Sequence, residues 1–427
     1  MKLSRPLLDD LASRSADLAS SFLRVRQASL DLTAGLDPED CVIQTIPEVS
    51  PAKWHLAHTT WFFEQFCLLE HGSSYQAFND KFLYLFNSYY YSVGQMHARP
   101  KRGLLNRPLF REVLDYRAHV DEAMLALIDA HRDDGELSFI ITLGLHHEQQ
   151  HQELLLTDIK HVFFTNPLHP AYTARRAEPR GKSPPLEFVC RPGGRLAVGH
   201  DGAGFCFDNE TPRHDVLVDE HEFGNRLVTN DEYREFIEDG GYRDSRLWLS
   251  DGWSRVYSDG WNRPLYWSED FQGEFTLSGW RSVDPAAPVC HVSQYEADAF
   301  ARWANARLPY ETEWELAAAE TETHGNTLDR RLFHPTSLSA ESVGPVHQFW
   351  GDVWEWTATP YAAYPGFKPL AGPVGEYNGK FMANQIVVRG GSCATWADHL
   401  RATYRSFFYP HDRWQFLGFR LARTAAR

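Results

Sequence analysis

Through about the first 165 residues, apolar positions recur every three or four residues, glycines are sparse and strand-like alternation is rare. That period predicts helices. One helix falls within the first 35 residues. A second starts at Ser50-Pro51, with Ser as N-cap and Pro at the first helical position, and runs through AKWHLAHTTWFFEQFCLLEHG to a stop at Gly72. A third covers 107–132, ending before Asp133-Asp134-Gly135. A fourth runs from about Leu137 to Phe164. Four such helices make a bundle. The aromatic loop NDKFLYLFNSYYYSVGQMHARPKRG lies between the second and third helices.

The pattern then changes. Residues 166–185 are rich in proline and basic side chains and read as a linker between a 1–165 domain and a 186–427 domain. Beyond 186 come short strand-like runs, many glycines and a dense set of tryptophans. Capping boxes at Thr229…Glu232 and Ser293…Glu296 start two short helices. The class is α+β.

Composition narrows the function. The 427 residues carry a net charge of −15, with 43% hydrophobic and 23% charged positions, as in an ordinary globular protein. The length suggests two domains. The acidic balance argues against nucleic-acid binding, which needs a basic footprint. No apolar run reaches the ~18 residues of a membrane span. The N-terminal segment mixes acids with its leucines and does not read as a signal peptide. Six cysteines without a CxxC read as reduced thiols, so a cytoplasmic protein is expected. Twenty histidines direct attention to a metal.

The sharpest local feature is His147-Glu-Gln-Gln-His151 on the fourth helix. Residues i and i+4 share one helix face, so both imidazoles can reach one ion. Gln150 overhangs the same face, at about −60° from His147 when each residue turns about 100°. His161 shares the face but lies ~21 Å along the axis, too far to join. The string also matches HExxH, the zinc-hydrolase pattern with glutamate as general base. A metzincin continuation would put Gly at 154 and His at 157, where this chain has Leu154 and Thr157. A better third ligand lies upstream. Trp54, His58, Trp61, Phe62 and Gln65 share one face of the second helix, with His58 central; His55 falls on the flank and is set aside. Three neutral imidazoles without a carboxylate leave open positions on an octahedral ion, which suits iron(II) with O2 and substrates.

WHLAHTTWFFEQF, NSYYYSVGQ, HHEQQHQELLL, GDVWEWTATPY and VVRGGSCATWADHLRATYRSFFYPHDRWQFLGFR occur in this order. Together they resemble the sulfoxide synthases of ergothioneine biosynthesis, the hercynine oxygenases, over essentially the whole chain. The resemblance implies a DinB-like four-helix bundle joined to a C-type-lectin-like domain of the formylglycine-generating-enzyme type. It implies an iron(II) enzyme that uses O2 to join the sulfur of cysteine to C2 of the hercynine imidazole, giving hercynylcysteine sulfoxide. The family's iron-binding histidines fall on His58, His147 and His151. Gln150 is expected to contact hercynine. Tyr89 and Tyr90 match a tyrosine pair of the cysteine-using branch, where a phenol steers the reaction from thiol dioxygenation to C–S bond formation. Arg99 and Arg102 are candidates for the thiol substrate's carboxylate, which an arginine fork suits. Phe407 and Phe408 fall at pocket-lining positions. The γ-glutamylcysteine branch has an Asp at the position of Phe408, so free cysteine is favoured here. Phe407 offers an aromatic face to a trimethylammonium group.

Competing readings stay within and outside the family. A selenosugar-using selenoneine synthase and a C5-directed ovothiol-type synthase share the scaffold; the latter usually adds a methyltransferase domain, and this chain ends soon after GFR. A formylglycine-generating enzyme would need a cysteine pair after GGS, where only Cys393 stands. A lectin-like binding module would leave the histidine face unexplained.

Overall fold

The computed structural model describes residues 5–178, 181–338 and 344–425, with side chains from residue 17 onward. The chain divides into two compact units. The first comprises residues up to Leu168 together with Leu370–Tyr377; the second comprises His169–Pro369 and Asn378–Arg427.

The first unit is built from α1 (Arg5–Thr33), α2 (Ala52–Phe63), α3 (Leu69–His71), α4 (Asp80–Phe86), α5 (Phe110–Ala130) and α6 (Gly135–Thr165). The long helices α1, α2, α5 and α6 form the bundle, with α2 packed against both α5 and α6. Every residue of α2 is buried, so its aromatic side chains fill the interior all round. Trp61, Phe62 and Phe63 are fully buried, and Phe63 meets Phe22 of α1 edge-on at 5.1 Å.

Helix boundaries differ from the sequence reading in instructive ways. Ser50 is not a side-chain cap: its hydroxyl accepts from Arg102 at 2.9 Å, and its N–H donates to Asp158 at 2.8 Å. Past Phe63 the helix widens into a π-type turn, Glu64–Leu68, before α3 ends at Gly72. Glu64, fully buried there, accepts from Tyr75 and Tyr116, each at 2.6 Å. The helix expected over 107–132 begins at Phe110, where the Glu112 carboxylate accepts the Leu109 N–H at 2.7 Å. Asp134 caps α6 by accepting from the N–H groups of Glu136 and Leu137, which satisfies two donors of the first turn.

The second unit carries β1 (Phe188–Arg191), β2 (Gly194–Val198), β3 (His214–Val218), β4 (His221–Leu227), β5 (Gly273–Thr276) and β6 (Gly279–Ser282). After these come β7 (Trp354–Pro360), β8 (Ile386–Arg389), β9 (Ser406–Phe408), β10 (Leu417–Gly418) and β11 (Arg420–Thr424). Strands β1, β4 and β11 form one antiparallel sheet; β10, β7, β8 and β9 form another, in which β10 runs parallel to β7. Helices α7 (Asn230–Glu238), α8 (Ser250–Asp259), α9 (Gln294–Trp303) and α10 (Glu311–Ala318) complete it. The expected capping boxes are present at Thr229–Glu232 and Ser293–Glu296. With so little regular sheet, buried ion pairs and indoles hold the core. Arg389 bridges Glu311 and Glu315 at 2.9 and 3.0 Å, Arg420 pairs with Glu355, and Trp314 and Trp356 are fully buried.

Candidate metal centre

The crossing of α2 and α6 sets the site. Gly144 allows it: a Cβ built there would lie 2.5 Å from Phe63 Cε1 and 2.8 Å from Phe62 Cε1. The helices therefore approach more closely than any side chain at 144 permits. One turn further along α6, His147 faces His58 with ring centroids 5.0 Å apart, and His151 faces His58 at 4.8 Å. One nitrogen from each of His58, His147 and His151 lies within 4.8 Å of the others. No Asp or Glu belongs to this cluster among the described residues.

Hydrogen bonding leaves lone pairs aimed inward. His58 Nδ1 lies 2.6 Å from the Phe86 carbonyl, an acceptor only, so Nδ1 carries the proton and Nε2 is the free base. Among the described residues that Nε2 is buried without a hydrogen-bond partner, as are both ring nitrogens of His147. Unpaired buried polar atoms are costly. His58 and His147 therefore each bring one unpartnered lone-pair nitrogen to the cluster, which fits a cation that those lone pairs would hold. Burial pushes all three imidazoles toward the neutral form: His147 is pushed down to about 3, against the opposing pull of Glu148, and His58 and His151 are shifted well down, with the neighbouring imidazoles adding to burial. Neutral imidazole is the form that ligates.

Glu148, the potential general base of HExxH, points elsewhere. It is fully buried and accepts from Arg26 at 2.8 Å, Arg117 at 2.7 Å and Ser29 at 2.6 Å. A carboxylate clasped by guanidiniums of α1 and α5 is directed away from the cluster and is poorly placed to activate a water there.

The remaining candidates divide. Tyr89 packs its ring edge-on to His58 at 6.5 Å, while Tyr90 is fully buried behind it against Trp61 and Phe66. Their hydroxyls are 3.5 Å apart, and burial raises both phenols, so each stays a neutral O–H. Gln150 is half-buried and its Oε1 accepts from Tyr377. Arg102 is buried, its guanidinium 3.3 Å from the Trp54 ring centroid and donating to the hydroxyls of Ser50 and Ser88, with Nε unpartnered. Arg99 is exposed and donates to the Glu48 carbonyl at 2.5 Å, so the two neighbouring arginines differ in burial and in partners. Phe407 and Phe408 sit on β9 of the second unit, Phe407 stacked 4.0 Å from Tyr361 and Phe408 paired with Ile386 of β8.

Two features escaped the sequence reading. His55, set aside as a flank residue, has Nδ1 2.8 Å from His151 Nδ1 and Nε2 3.0 Å from Asp158. Its three-residue step from His58, and the seven-residue step from His151 to Asp158, were the available signals. The segment Leu370–Tyr377 gave none, being 227 positions from Gln150 to Tyr377. There the Tyr377 ring lies 5.5 Å from His147 and 6.2 Å from Tyr89. Glu376 pins the segment by accepting from the N–H groups of Tyr91 and Ser92 at 3.1 and 2.9 Å.

No helix among the described residues is long and apolar enough to cross a membrane. Residues 21–155 match the DinB superfamily, and residues 173–425 match the family described as the sulfatase-modifying factor enzyme 1-like domain. The fold is thus a DinB-type helical domain followed by a C-type-lectin-like domain of the formylglycine-generating-enzyme type. A hercynine oxygenase of Mycobacterium tuberculosis is 33% identical over 429 residues, covering 95% of this chain and 98% of that protein. Those of Mycolicibacterium thermoresistibile and Mycolicibacterium smegmatis are 32% and 31% identical, each over 95% of this chain and over 94% and 98% of their own lengths. Agreement at this level over nearly the full length of both partners means that the chain belongs to the hercynine oxygenase family.

Proposed function

We propose that this protein is an iron(II)- and O2-dependent sulfoxide synthase that joins the sulfur of cysteine to C2 of the hercynine imidazole. The observation that carries the reading is a carboxylate-free cluster of three imidazoles, His58 and His147 buried and His151 half-buried, the first two with ring nitrogens that nothing among the described residues satisfies. His58, His147 and His151 would hold the metal. When bound, iron(II) supplies redox chemistry with O2 and a Lewis-acid position for a thiolate. The overall change balances: the thiol S–H and the imidazole C2–H are lost, one oxygen atom stays on sulfur, and the other leaves with the two hydrogens as water.

The chain's own groups supply the rest. Gln150 offers an amide to the hercynine imidazole. Tyr89, the phenol against His58, holds a proton at a neutral hydroxyl beside the reacting centre. Arg102 is a buried cation whose hydrogen-bond partners among the described residues are hydroxyls, so it suits a substrate carboxylate better than the exposed Arg99 does. The apolar Phe408 has nothing to offer the amino end of a longer peptide thiol, which is why cysteine is proposed as the sulfur donor. A cytoplasmic enzyme acting on small molecules fits the composition.

The test is mass spectrometry of products after O2 is admitted to anaerobically iron(II)-loaded protein with hercynine and equal cysteine, γ-glutamylcysteine and selenosugar. Hercynylcysteine sulfoxide as the main product is expected. A γ-glutamyl or selenium adduct would overturn the choice of cysteine. The absence of any adduct would overturn the proposed reaction.

A further inference from the structure

Resting on the reading that the three histidines hold the metal, we infer that His55 and Asp158 are positioning residues, which fix the tautomer and ring orientation of His151 from behind. Ionised Asp158 is acceptor-only. Its Oδ2 takes the Ser50 N–H at 2.8 Å and lies 3.0 Å from His55 Nε2, so Nε2 is the protonated nitrogen of His55. With that single ring proton on Nε2, His55 presents a lone pair at Nδ1. Across 2.8 Å stands His151 Nδ1, which must supply the proton to that contact. His151 is thereby left with its Nε2 lone pair for the metal. The chain Asp158–His55–His151 thus repeats, with an imidazole inserted, the carboxylate-to-histidine support found behind many metal ligands.

Burial makes the relay specific. His55 and Asp158 are each 3% exposed, so water cannot substitute for either partner. The elements are rigid: His55 shares α2 with His58, and Asp158 lies two turns beyond His151 on α6. Removing Asp158 frees His55 to carry its proton on Nδ1. Two Nδ1–H groups would then oppose each other, and the relief is for His151 to move its proton to Nε2, the ligating atom. Asp158 therefore acts on the metal through His55.

The experiment measures Fe(II) affinity by anaerobic chelator competition and the visible absorption of Co(II)-loaded protein, with thermal unfolding recorded alongside. His55→Leu and Asp158→Ala are each expected to weaken Fe(II) binding by ~10-fold or more and to alter the Co(II) bands. His55→Asn, whose amide oxygen falls where Nδ1 lies, is expected to restore most of the affinity. In the His55→Asn background Asp158→Ala should cost little further affinity, although both backgrounds lose the Ser50 contact. A merely structural Asp158 would cost the same in both backgrounds, and that result overturns the inference. So does unchanged affinity in His55→Leu and Asp158→Ala while His147→Ala abolishes binding. Retained affinity in His147→Ala would instead overturn the metal site itself. Should His55→Leu fail to fold, the His55→Asn and Asp158→Ala comparison decides alone.

Discussion

Gly144 of α6 and Phe63 of α2 meet with no room for a methyl group, since a Cβ at 144 would stand 2.5 Å from the Phe63 ring. That contact lies one helical turn from His147 and sets how near His58 and His147 come. Gly144→Ala should therefore do two things. It should cost about 1–3 kcal/mol of stability through overpacking, despite the better helix propensity of alanine. It should also weaken metal binding by pushing the helices apart. Thermal unfolding and Fe(II) titration of the variant test both.

The tyrosine pair separates by position. Tyr89 lies against His58, whereas Tyr90 packs into the Trp61–Phe66 wall. Tyr89→Phe is expected to shift products from sulfoxide toward cysteine sulfinate, because the proton at the reacting centre is lost. Tyr90→Phe should change the ratio less. Product ratios by mass spectrometry at equal iron loading decide; an unchanged ratio in both variants removes the role from the pair.

Much of this site was legible because helical spacing is local. His147 and His151 share a face by their four-residue step, and His58 lies amid the aromatic stripe of an all-buried helix. What was not legible depended on partners. The angular position of His55 on α2 alone marks it as peripheral; only the register of α6 brings His151 and Asp158 to its two nitrogens. The same holds for Ser50, whose cap role is displaced by Arg102 and Asp158 from distant segments. Glu148 reads as a general base in the string HEQQH, yet two arginines from α1 and α5 claim it. The segment ending at Tyr377 joins the first unit through tertiary contacts that no periodicity encodes. In the second unit the capping boxes were plain, while buried ion pairs such as Arg389 with Glu311 and Arg420 with Glu355 join residues too far apart in the chain for any local pattern to show.

The two candidate arginines should also behave differently. Arg102 is buried, with no carboxylate among its hydrogen-bond partners; Arg99 is exposed and bonded to a main-chain carbonyl. Arg102→Leu is expected to raise the KM for cysteine ~10-fold or more, the loss of a charge-assisted bond of about 1.5–3 kcal/mol, with kcat less affected. Arg99→Leu should move the KM little. Steady-state kinetics in cysteine at saturating hercynine test this, and equal effects in the two variants would reject the assignment.

Acid should loosen the second unit through Glu274. This carboxylate is buried on β5, and burial alone would raise its pKa. The neighbouring His334, at 3.2 Å, and Arg281, at 2.9 Å, outweigh that and hold it at about 2 against an ordinary 4.5. A carboxyl whose folded pKa is depressed binds protons more readily when unfolded. Its stabilisation is therefore complete above about pH 4.5 and is lost as pH falls toward 2. The full shift corresponds to a few kcal/mol, of which somewhat under half is gone by pH 3.5. Urea unfolding at pH 7 and pH 3.5 is expected to show this loss in the parent. Glu274→Gln should start lower at pH 7, because Arg281 and His334 lose their shared anion, and should fall less between the two pH values. An equal fall in parent and variant would assign the acid sensitivity to other carboxylates.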